Sequence, residues 1–461
     1  MSTQTFVSPD EIRTRFSSAM SKMYRAEVPQ YGTLLDLVAD INAAYLKDHP
    51  DVEQALRETD ELDRLDVERH GAIRLGLPRE LSNARQVFGV MGMQPVGYYD
   101  LSVAGVPVHS TAFRPVGDEA LRRNPFRVFT SLLRLELIAD EGLREQAARI
   151  LEKREIFTPR ALALVKVAEQ QGGLDEAQAD EFVAEVLETF RWHSDATVDA
   201  GTYQRLHDAH RLIADVVSFK GPHINHLTPR TLDIDAVQAE MPRRGITAKD
   251  VVEGPPTRRN PILLRQTSFK ALEEPVRFVG DDKAGTHTAR FGEIEQRGMA
   301  LTRKGRALYD QLLANVREIG NVGNSSPDYQ SRLEAVFVDF PDDLDEIRRQ
   351  ELAFFRYVVR DEAALQRAAA AGLPWDTERL IQEGAIAAHP IVYEDFLPVS
   401  AAGIFQSNLG GTEQKSYAAN AAQAVFEEAL QAKVLDEIAL YQQAEADSLA
   451  AIQSRYQRQA A

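Results

Sequence analysis

The sequence predicts an α+β fold: a central mixed β-sheet or barrel of two β-α-β-β modules, a large helical insertion between them, and helical elements at both ends. Three observations predict it. Helical periodicity dominates the two ends and one long internal stretch. Two other segments each run strand, helix, strand, strand. Both of these carry the same small motif on their first strand, His70-Gly-Ala-Ile-Arg74 and His226-Leu-Thr-Pro-Arg230. One motif at the same place in two similar element orders points to an internal duplication.

The elements follow in order. Ser8-Pro9-Asp10-Glu11 reads as an N-cap, a proline at the first helical position and a capping-box glutamate, with Ile12, Phe16, Met20 and Met23 at helical spacing behind it. A second helix covers Leu34 to Tyr45. HGAIRLG reads as a strand, LPRELSNARQVFGVM as a helix, and PVGYYDLSV and VPVHSTAFRPV as two strands around a turn at Gly105. Residues 117–217 read as helical, capped in part by Thr158-Pro159 and broken at Gly172-Gly173. The second module reads as a strand (PHINHLTPRTLDI), a helix ending at Gly245, and strands NPILLRQTSFKAL and THTARFGEIEQRG, with a Pro/Gly-rich loop VVEGPPTRRNP. Phe426, Leu430, Val434, Ile438 and Tyr441 form one apolar helical stripe near the end. The expected divisions of a single family domain (5–455) are N-terminal helices 5–60, first module 61–116, helical insertion 117–217, second module 218–300, and a mostly helical part 301–461 with a pocket loop at 396–411.

Composition narrows the function. The 461 residues include 53 Lys plus Arg and 70 Asp plus Glu, a net charge of −17. So negative a chain argues against duplex nucleic acid or an anionic membrane as partner. There is no cysteine, which excludes disulfides, thiolate metal sites and cysteine nucleophiles. The N-terminus lacks the pattern of a secretory signal and no apolar run is long enough to span a bilayer, so the expected location is cytoplasmic. Phosphate-loop, dinucleotide-binding and GxSxG patterns are missing. The oligomeric state is left open.

Without cysteine, a transition-metal site must use histidine and carboxylate. Of the ten histidines, His207 and His210 share a face if one helix carries both, but no HExxH surrounds them. His223 and His226 fall on opposite faces of a regular strand, so at most one points inward. The stronger set is His70, His226 and a glutamate of RFGEIEQRG. If the two modules pack side by side, their first strands bring the two histidines together, and the closing strand adds Glu293 or Glu295, which have the same strand parity. Two imidazoles and one carboxylate leave open positions on a metal and suit non-haem Fe(II) with a chelating substrate and oxygen. Arg74 lies on the same strand face as His70, about 13 Å away between Cα atoms. It can grip a substrate carboxylate, or else snorkel to the surface or pair with Asp66 or Glu68. Arg258, Arg259 and Arg265 add positive charge near the second module. The small, glycine-bearing stretch FLPVSAAGIFQSNLGG reads as a buried loop or a pocket wall.

Several long stretches carry a family resemblance: ERHGAIRLG, MGMQPVGYYDLS, FRVFTSLLRLELI, FKGPHINHLTPRTLDID, EGPPTRRNPILLRQTSFKAL, HTARFGEIEQRG and VYEDFLPVSAAGIFQSNL. Through these, nearly the whole chain resembles the 2-oxoadipate dioxygenase/decarboxylase family. The resemblance implies paired βαβββ modules of the vicinal oxygen chelate type and Fe(II) held by His70, His226 and Glu293. It also implies substrate contacts from His70, Arg74 and Val399, and conversion of 2-oxoadipate and O2 to (R)-2-hydroxyglutarate and CO2 in lysine catabolism. The partners are then a small 2-oxo dicarboxylic acid and dioxygen. Two alternatives are a non-redox metal-dependent lyase or isomerase acting on a 2-oxo acid, and a non-catalytic helical scaffold.

Overall fold

The computed structural model describes residues 5–280, 285–318, 327–397 and 420–460. The N-terminal helix spans Pro9–Glu27, with the Ser8 side chain accepting from the Glu11 amide at 3.2 Å. The next helix is longer than expected, Pro29–Asp48, and also starts on a proline.

The first module is β1 (Arg69–Leu75), helix Pro78–Val90, β2 (Gln94–Asp100), β3 (Val108–Arg114) and β4 (Arg127–Leu133). Gly105, at φ 81°, closes the expected turn between β2 and β3. β4 lies within the stretch expected to be helical, so the module runs past residue 116; a short helix, Asp118–Arg123, precedes β4 and the longer helical segment follows it. Every β4 residue is buried. A strand covered on both faces loses its alternation and reads as a plain apolar run. Further along, Thr158 does cap helix Pro159–Gln171, and Gly172 ends it in the left-handed conformation.

The second module is β5 (Leu227–Pro229), helix Ile234–Glu240, β6 (Leu264–Ser268), β7 (Glu273–Val276), β8 (Gly285–Thr288) and β9 (Glu293–Arg297). Its first strand is much shorter than expected. His223, at φ 22°, bends the chain before it, and Pro229 has no N–H for a ladder. The run read as one closing strand is two strands, β8 and β9, and the polar β7 was not anticipated.

Part of the strand pairing repeats between the two modules. β1 pairs parallel with β4, and β4 antiparallel with β3. Likewise β5 meets β9 through a parallel bridge at Arg230/Glu295, and β9 pairs antiparallel with β6. Antiparallel pairing of β1 with β5, His70 opposite Thr228, joins the halves. The resulting order β2-β3-β4-β1-β5 continues through that bridge to β9 and β6, and the described sheets are open rather than closed into a barrel.

One large apolar cluster packs the N-terminal helices against helix Pro78–Val90 and the sheet. The Tyr24 hydroxyl, in helix Pro9–Glu27, donates to the Phe291 carbonyl at 2.7 Å, two residues before Glu293. Asn42 donates to the Arg230 carbonyl at 3.1 Å and accepts from the Leu232 amide at 2.7 Å, clamping the chain just after β5. A second cluster carries the C-terminal part, which also holds an unexpected two-stranded ladder, β10 (Phe355–Val359) with β11 (Ile386–Pro390). The expected terminal stripe belongs to two helices, Asn420–Leu430 and Glu437–Ala460. Gln431 between them, at φ 56°, is left-handed.

Candidate metal centre

The register of β1, β5 and β9 brings three distant side chains together. His70, His226 and Glu293 are buried, and one donor atom from each lies within 4.8 Å of the others. His70 Nε2 is 3.0 Å from Glu293 Oε1, and His226 Nε2 is 3.6 Å from the same oxygen. The two imidazole rings meet edge to face, 5.3 Å apart. Gly71 permits this approach. A Cβ there would lie 2.4 Å from Ile224 Cδ1 and 3.0 Å from the His226 carbonyl oxygen.

The two candidate glutamates play different parts. Glu293 faces both histidines, and its Oε1 also accepts from Thr228 Oγ1 at 3.0 Å and Gln266 Nε2 at 2.9 Å. Glu295 lies on the far side of His70, with Oε2 2.9 Å from Nδ1, and both its oxygens bond Arg297 at 2.8 and 2.9 Å. This is the arrangement in which one carboxylate ligates and another orients the ligating histidine.

The electrostatics suit a cation. Burial pushes His226 down to about 4, leaving a neutral imidazole with a lone pair to give. Glu293 stays below the usual carboxylate range although burial opposes this, because His226 and His70 face it. Glu295 lies at about 2, burial being outweighed by Arg297 and His70. Burial also disfavours a charge on His70, yet the two glutamates raise its pKa. A site that draws a proton to this point draws a metal ion in its place. Glu293 Oε2 is buried without a hydrogen-bond partner among the described residues, a cost of about 1–3 kcal/mol that a cation beside it relieves. Phe396 lies 4.9 Å from the His70 ring and Phe291 4.8 Å from the His226 ring, so apolar walls flank the donors.

Arg74 is paired with neither Asp66 nor Glu68. Its Nη1 lies 2.7 Å from Asp215 Oδ2, and its charge is among those that lower the His226 pKa. Glu68 instead anchors a buried layer behind the donors, which nothing in the sequence's spacing revealed. Arg64, Arg127 and Arg230 each reach Glu68 at 3.0 Å, and Arg64 and Arg127 also bond Glu394. Only the mixed Arg/Glu content of these segments hinted at it.

The remaining candidates separate. His210 does not share a helix face with His207: it caps the start of helix Arg211–Val217. His223 and His226 are both buried, because the chain between them is not a regular strand, and His223 faces Asp215 at 3.4 Å. Arg258 donates to the carbonyls of Phe337 and Phe340, at 3.2 and 2.9 Å, and Arg265 has all three of its nitrogens engaged, Nε by the Pro255 carbonyl at 3.0 Å and the two terminal ones by Asp235 at 2.7 and 2.9 Å. Val399 and most of the 396–411 loop lie outside the described residues.

Known proteins match this chain along almost all of its length. The family model described as 2-oxoadipate dioxygenase/decarboxylase matches residues 16–408. A 2-oxoadipate dioxygenase/decarboxylase of Pseudomonas putida is 60% identical over 455 residues, 98% of each chain. That of Escherichia coli is 60% identical over 439 residues, 95% of this chain and 97% of its own. The crystal structure of a hydroxyglutarate synthase from Pseudomonas putida in complex with 2-oxoadipate superposes with a TM-score of 0.92 at 59% identity, covering 98% of this chain and 99% of that one. With a buried two-histidine, one-carboxylate cluster set between two like modules, the chain belongs to the 2-oxoadipate dioxygenase/decarboxylase family.

Proposed function

We propose that this chain is an Fe(II)-dependent enzyme that converts 2-oxoadipate and O2 to (R)-2-hydroxyglutarate and CO2 in lysine catabolism, in the cytoplasm. His70, His226 and Glu293 hold the iron, and His70, Arg74 and Val399 contact the substrate. The convergence of those three donors within 4.8 Å, in a chain of this family, carries the reading. No described helix is long and apolar enough to cross a membrane.

Two imidazoles and a carboxylate are the donor set of non-haem Fe(II) oxygenases. Bound iron supplies the electron chemistry that joins dioxygen to a 2-oxo acid. The protein's share is orientation and shelter. The Glu295 carboxylate faces Nδ1 of His70 at 2.9 Å, while Thr228 and Gln266 fix the rotation of the Glu293 carboxylate. Phe291 and Phe396 keep water from the donors. Arg74 holds a carboxylate of the substrate and so selects a dicarboxylic acid. The atoms balance: carbon 1 leaves as CO2, one oxygen atom enters the new carboxylate and the other the new hydroxyl.

The test is oxygen uptake by protein loaded anaerobically with Fe(II), against a panel of 2-oxo acids, with His70→Ala as control. The expected result is one O2 consumed per CO2 released, 2-oxoadipate preferred over the monocarboxylic 2-oxohexanoate, and no uptake by the variant. Turnover without oxygen uptake, sustained by Zn(II), would instead mark a non-redox lyase or isomerase. A protein that binds no metal would mark a scaffold.

A further inference from the structure

We propose that Asp215 is a positioning residue for Arg74, backed by His287 and Tyr203, and that the helical segment between β4 and β5 and the β7–β8 hairpin hold this guanidinium for an incoming carboxylate. The proposal rests on the reading of Arg74 as a substrate contact.

Four elements meet here. Arg74 comes from β1, Asp215 from helix Arg211–Val217, Tyr203 from helix Ala200–Ala209 and His287 from β8. Arg74 Nη1 donates to Asp215 Oδ2 at 2.7 Å. Asp215 Oδ1 lies 2.9 Å from His287 Nε2, and His287 Nδ1 lies 2.7 Å from the Tyr203 hydroxyl. The chemistry sets the direction of each bond. Ionised Asp215 can only accept, so His287 donates from Nε2, and its Nδ1 then accepts from Tyr203. His223 closes on the same aspartate oxygen at 3.4 Å. Aromatic rings flank the imidazole: Trp192 lies parallel to His287 with centroids 6.2 Å apart, and Phe219 is tilted by 45° with its centroid 4.8 Å away. Asp215, His223 and His287 are all buried.

A chain of bonds running from Arg74 to a tyrosine two helical elements away does no chemistry of its own. What it fixes is the plane of a side chain with many rotamers, and a bidentate grip on a carboxylate needs that plane. It also gives the inserted helices a task at the site.

The experiment is steady-state kinetics of the Fe(II)-loaded full chain with 2-oxoadipate and 2-oxohexanoate, for wild type, Asp215→Asn, Tyr203→Phe, Arg74→Ala and the Asp215→Asn/Arg74→Ala double variant. Iron content and melting temperature are measured alongside. Asp215→Asn is expected to raise the KM for 2-oxoadipate about ten- to a hundredfold, the worth of a charge-assisted hydrogen bond. Iron content stays unchanged, and the preference over 2-oxohexanoate shrinks. Tyr203→Phe moves the same quantities in the same direction by less. In the Arg74→Ala background, Asp215→Asn adds nothing. A purely electrostatic role predicts the opposite sign, since removing a negative charge tightens dicarboxylate binding. An unchanged or lowered KM in Asp215→Asn overturns the proposal. If that variant fails to fold, an unchanged KM in Tyr203→Phe does so. A wild type that does not turn over 2-oxoadipate defeats the reading of the site itself, a distinct outcome.

Discussion

Glu295 Oε2 lies 2.9 Å from His70 Nδ1, on the side of the imidazole away from Glu293, whose Oε1 is 3.0 Å from Nε2. One histidine thus separates two carboxylates of equal strand parity, and the proposed iron site uses Glu293 as donor with Glu295 behind His70. Glu293→Gln is expected to abolish iron binding. Glu295→Gln retains it, with affinity lowered about 10- to 100-fold, the usual cost of losing an outer partner. Iron content after equilibrium dialysis checks this, and the reverse pattern would make Glu295 the ligand.

Gly71 sets the distance between the two modules at the site. The methyl group of Gly71→Ala would press on Ile224 and on the His226 carbonyl. The variant is expected to fold but to bind iron at least about tenfold more weakly, because His226 shifts relative to His70. Circular dichroism together with metal titration reads both quantities, and unaltered affinity would show that the approach is not tight.

Glu68 neutralises a layer of buried arginines. Glu68→Gln leaves Arg64, Arg127 and Arg230 without that charge in a fully buried setting. The expected loss of stability is about 3–5 kcal/mol, the cost of stranding buried charge. Denaturant unfolding measures it. A loss well under 1 kcal/mol would mean that Glu394 alone serves the cluster.

Glu437, in the first turn of the last helix, is pushed up to about 7 by burial, with Asp395 and Asp436 adding to the rise and Arg306 opposing it. A carboxyl whose folded pKa exceeds its unfolded value binds more protons when folded. Its contribution is therefore full below the unfolded value and is lost as the pH rises through about 7. Glu437→Gln is expected to be near neutral at pH 5. At pH 8 it should stabilise by on the order of 1–2 kcal/mol, reduced from the full linkage because the side chain is part exposed. Thermal melts at the two pH values check the sign.

The duplicated order of elements was legible because each module opens on the same His-x-x-x-Arg spacing and its helix carries clear periodicity. The cluster of His70, His226 and a glutamate was legible as a set for the same reason, but the choice between Glu293 and Glu295 was not. Parity places both on one face, and only the position of His70 between them separates their parts. β4 stayed hidden because burial on both faces erased its alternation. Apart from the i,i+4 pair Arg64 and Glu68, the members of the Glu68 and Asp215 networks lie far apart in the chain, and no local pattern records such a pairing.

The most direct test of the central claim is an anomalous difference map, collected at the iron absorption edge, from crystals grown anaerobically with Fe(II). A single strong peak bonded to His70 Nε2, His226 Nε2 and the Glu293 carboxylate is expected. A peak held by Glu295, or none among these three side chains, would contradict the claim.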